Sequence, residues 1–305
     1  MVQEFVKISN SPIQFLLTLH GVEVWVKRDD LIDPFVSGNK LYKLKYNLKQ
    51  AIKEGKVSLL TFGGAFSNHI AATASFADQY GLKSIGFIRG EAVDGLNPTL
   101  RFAISKGMEL KFISREAYRQ KSDPTFLSEL QLAHPNAFIV AEGGANVLGI
   151  KGSEEILSEK TQSFDAIACA IGTGTTVAGL LKACAEHQKI IGIPIHKHGH
   201  IMNDVVEMNP TLRAHLHHLI LETNFHFGGY AMWNDALIEF TRTIYKDHDL
   251  RLDPIYTGKA LYALIEYVKN NKLSEGSKVL FVHTGGLQGV PGFEERFNLK
   301  LFDSP

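Results

Sequence analysis

The chain has 305 residues, of which 45% are hydrophobic and 21% charged, as is typical of a globular protein with a large buried core. Lys plus Arg and Asp plus Glu each number 32, so the formal net charge is zero and no basic field would attract nucleic acid or an anionic membrane. Two cysteines, Cys169 and Cys184, are too few for a disulfide framework and lack metal-ligand spacing. The amino terminus lacks a signal-peptide pattern and no stretch is apolar enough to span a bilayer, so we expect a cytoplasmic protein.

Short apolar runs alternate with helical patterns almost to the end of the chain. The runs predict strands at 22–28, 57–62, 84–89, 109–113, 137–141, 166–172, 190–195, 218–222 and 278–284. Apolar periodicity predicts helices at 66–80, 96–106, 125–133, 174–187, 234–247 and 259–270. Continuous apolar strands that alternate with helices predict an α/β fold with parallel sheets covered on both faces.

A lysine stands at an unusual place near the beginning of the chain. Ser37-Gly38-Asn39 is a helix-start signal and puts Lys40 in the first turn. A cation is disfavoured there, because the amino end of a helix carries partial positive charge. Lys40 is therefore either an ordinary solvated lysine without a function or a residue with a chemical role.

Glycine-rich turns follow four of the predicted strands, in "TFGGAFSNH", "AEGGANVLG", "IGTGTTVAG" and "HTGGLQG". Parallel sheets bind ligands at the carboxyl ends of their strands, where glycine permits close approach of the backbone. The four turns therefore predict a ligand site where these strands end.

The turn at Gly172, Thr173, Gly174, Thr175 and Thr176 opens a predicted helix and is suited to an anion such as phosphate. It matches neither the dinucleotide-binding fingerprint nor the Walker P-loop, and a simple threonine-capped turn is an equal alternative.

Ser67, Asn68 and His69 lie at another strand-to-helix junction. From these residues alone an N-cap is favoured over recognition of a carboxylate or a ring hydroxyl.

Histidines cluster in one region of the sequence: His196, His198 and His200 alternate in "HKHGH", and His215, His217 and His218 follow. Alternating histidines on an extended segment could face one metal ion, but no accompanying carboxylate completes a known metal motif. We therefore favour a solvated loop and predict no metal site.

Taken together, the motifs resemble one family. "VKRDDL", "SGNKLYKL", "FGGAFSNH", "GGANVLG", "GTGTTVAG", "GYAMWND", "DPIYTGKA" and "HTGG" occur in the order found in the fold-type II pyridoxal-phosphate enzymes. They are most similar to the branch that contains 1-aminocyclopropane-1-carboxylate (ACC) deaminase and D-cysteine desulfhydrase.

The resemblance implies two open, twisted, mostly parallel sheet domains, as in the tryptophan synthase β subunit, with the cofactor in the cleft between them. The larger domain would comprise residues 1–40 and 151–305, and the smaller one residues 41–150. A homodimer, a small-molecule amino-acid substrate and no nucleic-acid or membrane partner are also implied.

The resemblance assigns pyridoxal 5'-phosphate as cofactor, held covalently by Lys40. The implied cofactor-binding residues are Lys40, Lys43, Asn68, Gly172, Thr173, Gly174, Thr175, Thr176, Thr257 and Thr284. Lys43 and residues 173–176 belong to the implied phosphate site. The implied catalytic residues are Lys40, Ser67, Tyr230 and Tyr256, and Ser67, Asn68 and His69 would receive the substrate carboxylate.

Two threonines bear on the reaction that the resemblance implies. Thr257 and Thr284 stand where ACC deaminases carry glutamate and leucine, and they resemble the D-cysteine desulfhydrases. A hydroxyl at the pyridine nitrogen makes a weaker electron sink, which suits β-elimination. D-cysteine desulfhydrase activity is therefore the first expectation, ACC deaminase activity the second and a non-catalytic cofactor-binding protein the third.

Overall fold

A computed structural model of the chain describes residues 6, 8, 11–92, 95–197 and 201–302. Its strands are Ile13–Leu19 (β1), Val22–Lys27 (β2), Ser58–Gly63 (β3), Lys83–Arg89 (β4), Met108–Ile113 (β5), Ala137–Val140 (β6), Ala166–Ile171 (β7), Lys189–Pro194 (β8), Leu219–Leu221 (β9) and Lys278–Val282 (β10). Its α-helices are Asn39–Lys53 (α1), Asn68–Gln79 (α2), Pro98–Ser105 (α3), Arg115–Arg119 (α4), Pro124–Ala133 (α5), Val147–Glu154 (α6), Thr175–Ala183 (α7), Ile201–Met208 (α8), Asp235–His248 (α9), Thr257–Lys269 (α10) and Val290–Phe297 (α11).

The strands form two sheets. The larger has the order β1-β2-β10-β7-β8-β9 and is parallel except for the β1–β2 pair. The smaller has the order β5-β4-β3-β6 and is parallel throughout. The predicted α/β class with two mostly parallel sheets is thus confirmed, while the predicted domain boundaries stay a prediction.

The central parallel strands β3 and β7 are buried on both faces, as their continuous apolar sequences predict. In β7 all six residues are buried. Ala168 packs into one core, with Val24 and Phe281, while Ile167 packs into a second core on the opposite face of the sheet. This alternation follows from the two-residue period of a strand and places helices against both faces.

Each predicted strand lies within two residues of an observed one, but β1 was not predicted. β1 is an edge strand with several half-exposed residues, and it pairs antiparallel with β2 across His20 and Gly21. Both turn residues have positive φ, 47° and 74°, as expected for a two-residue hairpin turn.

The predicted helix 174–187 ends at Ala183, because Cys184 is extended, with φ −68° and ψ 148°. No helix in the described part of the chain has both the length and the hydrophobicity to cross a membrane.

Candidate active site

A cavity of about 410 Å³ opens where strands of both sheets end. Its walls come from the turns after β3, β6, β7 and β10 and from the start of α1. The lining residues are Asn39, Lys40, Lys43, Gly64, Ser67, Asn68, His69, Arg89, Glu142, Gly143, Ala170, Gly172, Thr173, Gly174, Thr176, Val177, His196, Tyr230, Tyr256, Thr284, Gly285 and Gly286. The four glycine-rich turns therefore meet at one cavity, together with both helix-start lysines.

The start of α1 is fixed against the end of β10. Asn39 N donates to the carbonyl of Thr284 at 3.2 Å. Gly38 has φ +65°, and a Cβ at this position would collide with the same carbonyl. Only glycine allows this approach, which puts Lys40 in the first turn of α1 at the cavity wall.

The Lys40 amine donates to Asn39 Oδ1 at 2.7 Å. Desolvation lowers the pKa of Lys40 from 10.5 to about 8, although the negative charge of Asp253 partly opposes this shift. Burial removes hydration from the charged ammonium group, so it increases the fraction of the neutral amine. At pH 7 about one Lys40 in ten is therefore a free amine, the form that attacks a carbonyl.

Lys43 lies one turn further along α1 and is 3% exposed. Within the described residues its ammonium has no ion pair. Desolvation and then the charge of Lys40 hold its pKa well below the usual value. A buried amine in this setting is a site for an anion, because an anion would restore its charge.

The turn before α7 supplies the opposite wall. Gly174 is left-handed, with φ +76°, and directly precedes the helix. Thr173 Oγ1 and Thr175 Oγ1 lie 3.0 Å apart, and Asn39 Nδ2 donates to Thr176 Oγ1 at 2.8 Å. The free backbone amides of this helix start and Lys43 form the donor set that a phosphate requires.

Ser67 is an N-cap, as its residue type predicts, and it also lines the cavity. Its Oγ accepts from the amides of His69 and Ile70 at 3.2 and 3.3 Å. Its hydroxyl proton therefore remains free to be donated. Asn68 accepts from Gln288 Nε2 through its Oδ1, which fixes the orientation of its amide group.

His69 is 2% exposed, and its Nε2 lies 2.8 Å from Thr61 Oγ1. The Thr61 hydroxyl donates to the Val140 carbonyl, so it must accept from the histidine, whose Nε2 carries the proton. Desolvation, followed by the charges of Lys40 and Lys43, holds the pKa of His69 well below its usual value, so the ring is neutral. The buried Nδ1 has no hydrogen-bond partner within the described residues.

Tyr230, Tyr256 and His196 form an aromatic group on one side of the cavity. His196 stacks on Tyr230 with ring centroids 5.4 Å apart, and Tyr256 meets Tyr230 edge-on at 6.1 Å. Burial raises the pKa of Tyr230, and it raises that of Tyr256 further, so both phenols stay protonated. His196 therefore belongs to the cavity rather than to a solvated loop, while His198 and His200 lie outside the described residues.

Two of the predicted cofactor-binding residues do not line the cavity. Thr175 is fully buried at the start of α7. Thr257 is also fully buried, and its hydroxyl donates to Asp253 Oδ2 at 2.7 Å and accepts from Asp253 N at 2.9 Å. Thr284 does line the cavity, and within the described residues its hydroxyl has no hydrogen bond.

Motif reasoning missed two cavity residues, Arg89 and Glu142, and also Gln288, which lies outside the lining but donates a hydrogen bond to Asn68. Arg89 ends β4, and Glu142 stands one residue before the glycines of "GGAN". A charged residue directly after an apolar strand was the available signal, since strand ends meet at the ligand site.

His217, His218 and Glu186 bring one ligand atom each within 4.8 Å of one another, but they do not line the cavity.

Comparison with known proteins identifies the family. A family model described as pyridoxal-phosphate dependent enzyme matches residues 6–285. The chain belongs to this family. A protein of Thermotoga maritima, provisionally named a 1-aminocyclopropane-1-carboxylate deaminase, is 34% identical over 92% of this chain and 95% of its own length. A bifunctional D-cysteine desulfhydrase/1-aminocyclopropane-1-carboxylate deaminase of Arabidopsis thaliana is 29% identical over 89% of this chain and 74% of its own. A crystal structure of an ACC deaminase homologue superimposes with a TM-score of 0.83 at 26% identity, covering 97% of each chain.

The family is one of pyridoxal-phosphate dependent enzymes, and the cavity fits this cofactor. The buried Lys43 without an ion pair and the turn before α7 suit the phosphate, and the partly neutral Lys40 suits the aldehyde. The cofactor expected from the resemblance is thus confirmed, as is membership in the ACC deaminase and D-cysteine desulfhydrase group.

Proposed function

We propose that the chain catalyses β-elimination from a small amino acid, with D-cysteine as substrate and pyruvate, ammonia and hydrogen sulfide as products. The observation that carries the proposal is the free hydroxyl of Thr284 in the cavity, at a position where ACC deaminases carry leucine. Pyridoxal phosphate, when bound, supplies the electron sink for negative charge at Cα. A threonine hydroxyl cannot protonate the pyridine nitrogen, which favours a reaction in which a leaving group departs promptly.

Lys40 would hold the cofactor and then, once displaced by substrate, take the Cα proton. Its pKa of about 8 suits a general base near neutral pH. Ser67 would donate its free hydroxyl proton to the substrate carboxylate, next to the fixed amide of Asn68. Lys43 and the turn before α7 would hold the phosphate.

Tyr230 and Tyr256 would act at the substrate's β-substituent. Their raised pKa values keep both hydroxyls protonated. The Tyr256 hydroxyl is hydrogen-bonded to that of Tyr230, so Tyr230 would donate to the departing group and Tyr256 would hold Tyr230 in place. His196 supports this arrangement by stacking on Tyr230.

ACC deaminase activity, giving 2-oxobutyrate and ammonia, is the second candidate, favoured by the name of the 34% identical Thermotoga maritima protein. Pyruvate and sulfide from D-cysteine, measured beside 2-oxobutyrate from ACC, separate the two reactions. If the cofactor-saturated protein turns over neither compound, nor any other D- or L-amino acid, the result would favour the third candidate, a non-catalytic cofactor-binding protein.

Lys40→Ala is the test of the covalent site. Borohydride treatment of the cofactor-loaded protein should label a peptide that contains Lys40, and the variant should lose this label. Labelling of another lysine would overturn the assignment. The homodimer and the cytoplasmic location remain proposals, which sedimentation analysis and cell fractionation would test.

A further inference from the structure

Arg89 stands at the junction of three cavities. It ends β4 and lines the candidate active site, a smaller pocket of about 120 Å³ and an adjoining one of about 590 Å³. Its guanidinium lies beside Gly64, three residues before Ser67, because a Cβ on Gly64 would be 3.6 Å from Arg89 Nη2. Arg89 therefore faces the space next to the substrate-carboxylate residues, although no motif points to it.

Within the described residues the guanidinium of Arg89 has no ion pair or hydrogen bond, and it lies 5.8 Å from the centroid of the Tyr118 ring. The nearby carboxylate of Glu142 is engaged elsewhere. It accepts from the Tyr118 hydroxyl at 2.7 Å and pairs with Lys121 at 3.5 Å. The carboxylate of Glu142, which lines the same cavities, is thus compensated by other groups, and among the described residues the positive charge of Arg89 is left for a ligand.

The adjoining 590 Å³ cavity is cationic as a whole. Besides Arg89 it is lined by Arg115, Arg119 and Lys121, against one acidic residue, Glu142. Within the described residues neither Arg115 nor Arg119 has an ion pair. A cleft lined by one sign of charge raises the local concentration of the opposite charge.

We propose that Arg89 recognises an anionic group on the β-substituent, so that the site favours amino acids with a second negative charge besides the α-carboxylate. This deepens and rests on the proposed β-elimination. In that reaction the Cα–H bond loses its proton to a base and the Cβ–X bond breaks with both electrons leaving on X. Water then completes the conversion of the remaining carbon skeleton to pyruvate and ammonium.

The guanidinium of Arg89 suits both the binding of the anionic substituent and its departure. A guanidinium binds a carboxylate, phosphate or sulfur oxyanion through two parallel hydrogen bonds, and it stays charged at all working pH values. The same charge stabilises X as it departs with the electron pair. Arg89 thereby acts as a specificity residue for the substrate that the cavity accepts.

The test compares aspartate with asparagine, which differ in one negative charge at the same place and carry no leaving group. Both enantiomers are titrated into the cofactor-loaded protein, and binding is read from the absorbance of the cofactor. Wild type should bind aspartate at least about tenfold more tightly than asparagine, the size expected of a charge-assisted hydrogen bond at a partly exposed site. Salt should weaken the binding of aspartate more than that of asparagine.

Three substitutions sharpen the result. Arg89→Gln should remove the preference for aspartate, Arg89→Lys should keep part of it, and Arg213→Gln, an exposed arginine outside the three cavities, should change nothing. In turnover, Arg89→Gln should lower kcat/KM for O-phosphoserine about tenfold and leave that for the uncharged 3-chloroalanine within about threefold.

Equal affinity of wild type for the two ligands, including no binding of either, would overturn the proposal, as would a preference that survives Arg89→Gln. Tighter binding of phenylalanine than of aspartate would instead assign the substituent to the 120 Å³ pocket, which Phe66, Phe293 and Phe297 line. Failure to release pyruvate from any substrate would sink the β-elimination while the aspartate preference still stood.

Discussion

The rate at which Lys40 captures the cofactor should rise with pH and level off. The neutral amine is the reactive form, and the pKa of Lys40 is lowered from 10.5 to about 8. A group with this pKa is neutral in about one molecule in ten at pH 7 and about nine in ten at pH 9. The rate constant should therefore increase about tenfold between pH 7 and 9 and then reach a plateau.

An unshifted lysine behaves differently over the same interval. At a pKa of 10.5 the neutral fraction grows about tenfold for each pH unit, so the rate would still be rising steeply at pH 9. The assay mixes cofactor-free protein with pyridoxal phosphate and follows absorbance by stopped flow. A small primary amine, treated in the same way, corrects for the ionisation of the cofactor itself. A rate that climbs without a plateau beyond pH 9 would refute the reasoning.

The same assay shows whether burial or charge repulsion lowers the pKa of Lys40. Desolvation is the leading cause of the lowered pKa at Lys40, whereas the sequence pointed to the partial positive charge at the helix start. The charge of Lys43 is not among the causes of the shift at Lys40, which are desolvation and the opposing charges of Asp253 and Cys169. Lys43→Met should therefore leave the pH midpoint of Lys40 close to 8. A midpoint that moves up by a full unit would show that repulsion between the two lysines, not burial, sets the pKa.

Four further outcomes are expected. Lys43→Met should weaken equilibrium binding of the cofactor at least about tenfold, because the phosphate loses a charged donor, as dialysis and absorbance would measure. Gly38→Ala should cost about 3 kcal/mol or more of unfolding free energy in urea titration, since its Cβ meets the Thr284 carbonyl. Thr257→Val should cost about 1–3 kcal/mol because the Asp253 carboxylate loses its hydroxyl partner, whereas Thr284→Val should stay within about 0.5 kcal/mol yet change the cofactor's absorbance.

Two matched controls support these experiments. Lys49→Met removes a lysine from the same helix, away from the cavity, and should leave cofactor affinity unchanged. Gly55 has φ +67°, almost the same as Gly38, but a Cβ there would meet nothing within 4 Å. Gly55→Ala should therefore cost only the backbone strain, about 1 kcal/mol. Equal losses at both glycines would contradict the proposed clash.

Local patterns predicted most of the strands because these are largely apolar, and they predicted the longer helices. The short helices α4, α6, α8 and α11, of five to eight residues, were not predicted. The missed strand, β1, lies at a sheet edge where burial is partial, so its apolar pattern is weak. His20-Gly21 between two apolar runs was a usable hairpin signal. The glycine-rich turns predicted the cavity because parallel strands bring their carboxyl ends to the same edge of a sheet.

Single residues of the cavity were harder to predict, since their roles depend on partners distant in sequence. Gln288 orients Asn68 across 220 residues of chain. Arg89 became a candidate only in the structure, where Tyr118 and Lys121 engage Glu142 and the guanidinium has no ion pair or hydrogen bond among the described residues. No local motif carries this information, because it arises from the way the two sheets and their turns pack together.

Thr257 and Thr284 show that two residues with the same role implied by their motifs can have different roles in the structure. By sequence, Thr257 and Thr284 are a pair of hydroxyls directed at one cofactor. In the structure the hydroxyl of Thr257 is saturated, as donor to the Asp253 carboxylate and acceptor from its amide, while that of Thr284 is unengaged at the cavity wall. A hydroxyl can donate one hydrogen bond, and that of Thr257 is already donated to the Asp253 carboxylate. Thr257 therefore stabilises the start of α10, and only Thr284 remains available to tune the cofactor.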